Sequence, residues 1–423
     1  MRRNVTMSQS FPPPDYIADE SAVPGIEVFK PAPKTTPHRE VVAFKCPRCG
    51  ANTAYSIADG GLTCTYCGYH QAPAMPPVGE NAEGTEFTVD VVEQAGRGWG
   101  VERKELACQN CGARTTLPAQ DLSHTCPFCG SNNVVHRQAP QDALRPRFLV
   151  PFKLEKDAVR TTARSWLGSS WMTPRTLSHA ASRAEFTAIY LPAWSFDMRA
   201  SGAWRAEVGY KSDDDIKWRW KDGSVRQGYN EHLVSGTTRI PPGLLAKIWN
   251  FDVKDLAAYE PSFLAGFQAQ AYDVQLDPAW EAARNDLREE TMKRAREQAL
   301  EPSNAKKLRN FSLTVDFADE EWRYLLLPFY LAAYQHNGKP YQVVINGQTG
   351  SISGQRPADW RRVGVVVALL LAAGPLLYLF TVLALSQVTQ AASTIACLAV
   401  LVTVVGIAAA MTILAAAAKL DDA

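Results

Sequence analysis

Eight of the nine cysteines fall into four Cys-x-x-Cys pairs, and a glycine follows each pair. The first module has Cys46, Cys49, Cys64 and Cys67; the second has Cys108, Cys111, Cys126 and Cys129. Two residues between cysteines let one tight turn aim both sulfurs at a single ion, and two such turns complete a tetrahedron. The glycine lets the backbone leave the turn with positive φ, which other residues resist. In both modules 14 residues separate the pairs, and each cysteine of the second lies 62 positions after its counterpart. The unit therefore reads as duplicated, giving two Cys₄ zinc ribbons with two structural Zn²⁺ ions. Four thiolates fill each coordination sphere and leave no position for water or substrate, so the metal is expected to be structural and not catalytic. Redox Cys-x-x-Cys pairs and iron–sulfur ligation compete with this reading, but the spacing fits them less well.

The chain around these modules divides by composition. Residues 1–40 are rich in proline and lack an apolar period, so a disordered tail is expected. The ribbons occupy 41–70 and 101–137, and 71–100, with PAMPPVGENAEG, reads as a flexible linker. The largest soluble part, 145–357, reads as an α+β domain, because strand-like runs (TAIYLPAWSF, WRYLLLPFYLAAY, YQVVI) alternate with polar helical patterns. Asn337-Gly338 is a hairpin signal. A weak internal echo links YLPAW at Tyr190 with LLPFY at Leu326, each leading into a strand, a glycine turn and another strand. One helix is expected from Asp277 as N-cap, with Pro278 at its first position, to about Leu300. Its Glu289/Lys293 and Glu290/Arg294 pairs suit a solvated face.

Two uncharged runs close the sequence, 23 residues over 363–385 and 25 over 394–418. Each can span a bilayer core of about 30 Å at 1.5 Å per helical residue, and the short joint SQVTQAAS forces a hairpin. Arg356, Arg361, Arg362 and Lys419 flank the spans and the joint is uncharged, so the positive-inside rule puts both termini in the cytoplasm, at the inner (cytoplasmic) membrane. Gly374-Pro375 is expected to kink the first span; Gly406 and Ala410 put small residues on one face of the second. The opening MRRNVTMSQS lacks the apolar core of a signal peptide, which fits reduced, metal-bound cysteines.

The 423 residues carry a net charge of +1 and 46% are hydrophobic, which excludes a wholly disordered chain and gives no prior for a polyanionic partner. Over 41–137 there are seven Lys or Arg against nine Asp or Glu, and each tetrathiolate site adds negative charge. Binding by phosphate neutralisation is therefore disfavoured, and protein contact is expected, with Tyr66 and Phe128 of the knuckles as first candidates. The histidines are scattered, Asp213–Asp215 reads as a solvated turn, and no nucleotide-binding, metalloprotease, hydrolase or kinase motif is present.

The segments FKCPRCGA, CPFCGS, YLPAWSFD, YEPSFLAGFQAQAYDV and LLLPFYLAAYQHNGKPYQVVINGQTGSISGQRP resemble a bacterial family of membrane-anchored tandem zinc-ribbon proteins, over about 44–357. Its members are often labelled primosomal protein N-prime-like, helicase-like or TFIIB-type zinc-ribbon proteins. The ATPase motifs of a helicase are absent here, so helicase activity is rejected. The resemblance implies membrane adaptors of envelope-maintenance systems, alongside band-7 (SPFH) or phage-shock-type proteins. A non-enzymatic scaffold recruiting proteins to the membrane is the expected function. A nucleic-acid-binding membrane protein and an enzyme with an unrecognised site are the alternatives.

Overall fold

The computed structural model describes residues 16–19, 28–31, 44–73, 78–79, 82, 84–86, 97–118, 123, 125–140, 142–174, 177, 185–212, 215–301, 305–336, 339–384 and 389–422. The chain forms two units, Met1–Glu40 and Val41–Ala423. In the first, β1 (Tyr16–Asp19) pairs antiparallel with β2 (Val28–Pro31). These strands lie within the segment expected to be a disordered tail; Tyr-Ile opposite Phe-Lys-Pro supplies aromatic and β-branched residues that favour extended backbone.

In the second unit, β3 (Ala54–Ser56), β4 (Gly61–Thr63) and β5 (His70–Gln71) form a small antiparallel sheet within the first cysteine module. Next come β6 (Thr85–Glu86), β7 (Arg103–Cys108), β8 (Arg114–Pro118), β9 (Val134–Gln138) and β10 (Phe148–Leu149). Helix α1 (Lys156–Gly168) leads to β11 (Thr187–Ser212) and β12 (Asp215–Ser235). The short β13 (Ala257–Ala258) and β14 (Gln268–Ala269) precede helix α2 (Leu276–Leu300). Strands β15 (Ala305–His336), β16 (Lys339–Asn346) and β17 (Ile352–Gly354) complete the sheet, and helices α3 (Trp360–Ala384) and α4 (Thr389–Asp422) follow. Strands β6 to β17 make one sheet with the path β13-β10-β15-β11-β14-β8-β7-β9; β12 pairs with β11, β6 and β16 with β15, and β17 with β16.

Both faces of this sheet are covered, which is why its central strands read as nearly unbroken apolar runs. Alternation along β11 and β15 sends Ile189, Leu191, Leu325, Leu327 and Phe329 into one core and Tyr190, Trp194, Tyr324, Leu326 and Tyr330 into another. The second core is aromatic: Trp194 lies 5.0 Å from Tyr324 and Phe152 4.7 Å from Phe267, centroid to centroid. Helices α1 and α2 close it with Val159, Ala163, Ala279, Ala283 and Leu287.

The sequence echo corresponds to a real internal repeat. Each half contributes a short strand, a helix, a long strand carrying a proline and a returning strand. Strands β11 and β15 run antiparallel with Tyr190 opposite Pro328 and Pro192 opposite Leu326. Each short strand lies parallel to the long strand of the other half, β14 on Ile189–Tyr190 and β10 on Leu325–Leu326. The main-chain bonds match: Gln270 N–H donates to Tyr190 O and Val150 N–H to Leu326 O; Gly236 N–H donates to Pro192 O and Gly347 N–H to Pro328 O. Each proline sits where one neighbouring strand ends and the next begins, so its missing donor breaks no ladder.

Other details differ from expectation. Helix α2 starts at Leu276 with Gln275 as N-cap, so Asp277 lies within the first turn, where its charge favours the helix dipole, and does not cap it. The segment read as a flexible linker is tied down at its described residues: Val78 and Gly79 donate to Leu256 O, Arg323 Nε donates to Ala82 O, and β6 pairs with β15. Ser212 pairs with Asp215 across the expected aspartate turn, whose Asp213 and Asp214 lie outside the described residues, as do Asn337 and Gly338. Glu231, Asn310 and Asp319 have positive φ, and each lies beside a register shift of the long strands. Those bulges let the strands bend without losing pairing over their full length.

Candidate metal centres and the apolar hairpin

All four knuckles are built alike. The N–H of the glycine donates to the carbonyl of the first cysteine at 2.8–3.0 Å for Gly50/Cys46, Gly68/Cys64, Gly112/Cys108 and Gly130/Cys126. The first cysteine in turn donates its N–H two residues past the pair, to Ala51, Tyr69, Ala113 and Ser131. Each glycine has φ between +68° and +73°, the left-handed geometry that the spacing predicts.

The turns bring the sulfurs together in two groups of four, each within 4.8 Å of one another. Cys46 Sγ lies 3.4 Å from Cys67 Sγ, Cys49 3.6 Å from Cys64, and Cys108 from Cys129 and Cys111 from Cys126 both at 3.7 Å. Four sulfurs about 2.3 Å from a central ion stand roughly 3.8 Å apart, so the donor sets fit one tetrahedral ion each. All eight predicted ligands are thus brought together, and Cys397 stays apart on α4.

The knuckle amides tune the thiols. Backbone N–H donation from Cys67, chiefly, outweighs burial and draws Cys64 down to about 7. Burial opposes the thiolate at Cys108, yet the amides of Cys111 and Asn110 and the neighbouring thiols bring it to about 7. Burial pushes Cys111 up to about 11 and raises Cys126 as well. The Cys46 thiol is lowered too, so each group holds at least one thiol that loses its proton readily beside others that keep it unless a cation displaces it.

The two groups sit differently in the fold. The first is at the surface, with Cys49 and Tyr66 exposed, and its hairpin docks through Tyr55. Tyr55 N–H donates to Ala265 O and its ring lies 5.1 Å from Phe263. The second is part of the sheet: Cys108, Ala113, Cys126 and Phe128 belong to the core that holds Ile189, Leu327 and Ile248. Phe128, expected to be a contact residue, is buried to 3% exposure, which removes it from the surface. Tyr66 is 83% exposed.

Several supporting residues carry no signal in the sequence. Arg239 Nη1 donates to Cys111 O at 3.1 Å, Gln342 Nε2 to Phe128 O, and Asn110 Nδ2 to Cys129 Sγ at 3.7 Å. Arg103, 1% exposed, joins β7 to the loop before β14: Nε and Nη2 bond Thr116, and Nη2 and Nη1 reach Phe267 O and Leu264 O.

Two C-terminal helical stretches, Trp360–Phe380 and Cys397–Ala418, are long and apolar enough to cross a membrane. Most of their surface is exposed, Leu369, Leu376, Phe380, Val400 and Met411 each at 60% or more, unlike a buried core helix. The helices touch through small residues: a Cβ at Gly406 would lie 2.6 Å from Leu370 O, and one at Gly374 would strike Thr403. Pro375 lies inside α3, which runs on through it.

No protein-family model matches the chain, and no solved structure does. A curated relative, an uncharacterized protein YdjG of Bacillus subtilis (strain 168), is 25% identical over 334 residues, which cover 75% of this chain and 90% of that protein.

Proposed function

We propose that each cysteine group holds one structural zinc ion, and that the chain is a membrane-anchored zinc-ribbon scaffold that holds protein partners at the cytoplasmic face of a membrane. The tetrahedral spacing of the eight sulfurs, in a chain that ends in an exposed apolar hairpin, carries this reading. Four thiolates saturate the ion, which favours a structural over a catalytic role. Arginines before the first span and none in the joint support cytoplasmic termini. The first ribbon is the candidate contact surface, because its knuckle offers Tyr66 to solvent while the second is enclosed. Anchoring raises effective concentration toward partners that are themselves in the membrane, such as the band-7 or phage-shock types implied by the family resemblance.

Metal analysis of the purified full chain tests the first half: two zinc per chain are expected, and iron or a ratio near one would overturn it. Affinity purification from solubilised membranes tests the second. Tyr66→Ala should keep both metals and lose partners that the intact chain retains; an unchanged partner set, or ATP hydrolysis by the purified protein, would count against the scaffold. A reporter fused after Ala423 should stay inside the cell.

A further inference from the structure

A cavity of about 910 Å³ opens where the soluble domain meets the start of α3. Its polar end is made by Ser169, Ser170 and Thr173 of the loop after α1 and by Arg361 and Arg362. Its other end is apolar, with Leu167, Val365 and Val366. The loop is fixed against the helix. Asp359 N–H donates to Met172 O at 2.6 Å, and Arg356 bonds Trp166 O at 2.9 Å and Ser169 Oγ at 3.0 Å.

The charge at the polar end is only partly balanced. Arg362 pairs with Asp359 at 3.0 Å, whereas Arg361 makes no ion pair or hydrogen bond among the described residues. Both arginines lie in the first turn of α3, where the helix dipole also favours an anion. Thr173 is 2% exposed and its Oγ1 has no hydrogen-bond partner, an unfilled donor in the cavity wall. Trp171 and Trp360 are each 47% exposed beside it. Tryptophans favour the headgroup level of a bilayer, and Trp360 opens the apolar span.

We propose that this cavity binds the headgroup of one anionic phospholipid. The phosphate lies against Arg361 and the hydroxyls of Ser170 and Thr173, and the glycerol and first methylenes follow Val365 and Val366 toward the hydrocarbon. A free phosphate would use the polar end alone; the apolar end and the tryptophans select the lipid. The proposal rests on the membrane-spanning reading of α3.

Native mass spectrometry of the full chain in mild detergent, titrated with phosphatidylglycerol or phosphatidylcholine, tests it. One saturable phosphatidylglycerol per chain is expected. Arg361→Gln should weaken it about tenfold, since a charge-assisted phosphate contact is lost. Thr173→Val should weaken it about threefold. Arg219→Gln, which removes an exposed positive charge on β12, should leave it unchanged. Equal binding of phosphatidylcholine, no effect of Arg361→Gln, an equal effect of Arg219→Gln, or displacement by millimolar inorganic phosphate would each overturn the lipid site. An alkaline carbonate wash separates the two readings. Release of the chain from membranes sinks the span and the site together, while retention without phosphatidylglycerol preference sinks the site alone.

Discussion

Cys46 and Cys108 hold the same place in their knuckles but not in the fold. Cys108 is packed in the core beneath β11 and β15, whereas the first group touches the domain mainly through Tyr55. Cys108→Ser should therefore shift the main unfolding transition of the soluble domain, by more than about 2 kcal/mol, along with one metal equivalent. Cys46→Ser should lose one metal and leave the main transition nearly in place. Calorimetry with metal analysis separates the two, and equal shifts would refute the distinction. Arg103→Met should cost about 3 kcal/mol or more, because it strands Thr116 O, Phe267 O and Leu264 O inside the protein. Arg103→Lys should not rescue it, since an ammonium cannot span the same fork. The eight grouped cysteines were legible because the geometry of a tetrahedral site fixes their spacing within a few residues. Arg103 was not: in the sequence it is one more basic residue, and its acceptors arrive from β8 and from the loop before β14.

Among the elements, the two prolines best explain what the sequence could and could not say. Proline inside a strand argues against a central position, yet Pro192 and Pro328 lie on the two central strands of the sheet. They fit because the neighbour changes at that point, from a short parallel strand to a hairpin partner. Pro328→Ala should thus change stability by about 1 kcal/mol or less, whereas Leu326→Pro, two residues earlier and paired on both sides, should cost roughly 3 kcal/mol or more. Urea unfolding monitored by tryptophan fluorescence measures both, and similar losses would sink the switch-point account. The α+β class and the strand-like runs were readable from alternation and apolar content. The repeat was nearly invisible because its helices differ in length, 13 residues in α1 and 25 in α2, so no fixed period survives. The exchange of short strands between halves is set by contacts far apart in sequence, which local pattern cannot encode.

On the scale of the whole molecule, the attachment of the soluble domain to its apolar hairpin decides how the cysteine modules are presented. The sequence shows only a few residues between the last strand and the first apolar run. The structure makes this connection a strap. Arg356 lies 4.1 Å from the Trp166 ring centre, and its two hydrogen bonds hold the loop after α1. Asp359 accepts from Arg362 N–H at the start of α3 and ties its own N–H to Met172 O. None of this is visible in the sequence, because Trp166 and Met172 come long before the span. If the strap holds, the domain keeps a fixed pose on the hairpin, and the exposed first cysteine module keeps a fixed approach to anything beside it. Arg356→Ala removes the stacking and both side-chain bonds while leaving Asp359 and the apolar helices alone. Hydrogen exchange in detergent or nanodiscs should then quicken at residues 166–173 and 355–363, by about fivefold or more for a loss of roughly 1 kcal/mol of local opening energy. Metal content and carbonate-resistant membrane retention should stay as in the parent chain, because neither the cysteine groups nor the spans depend on Arg356. Unchanged exchange across both segments would mean that the short connection, and not the arginine, fixes the pose.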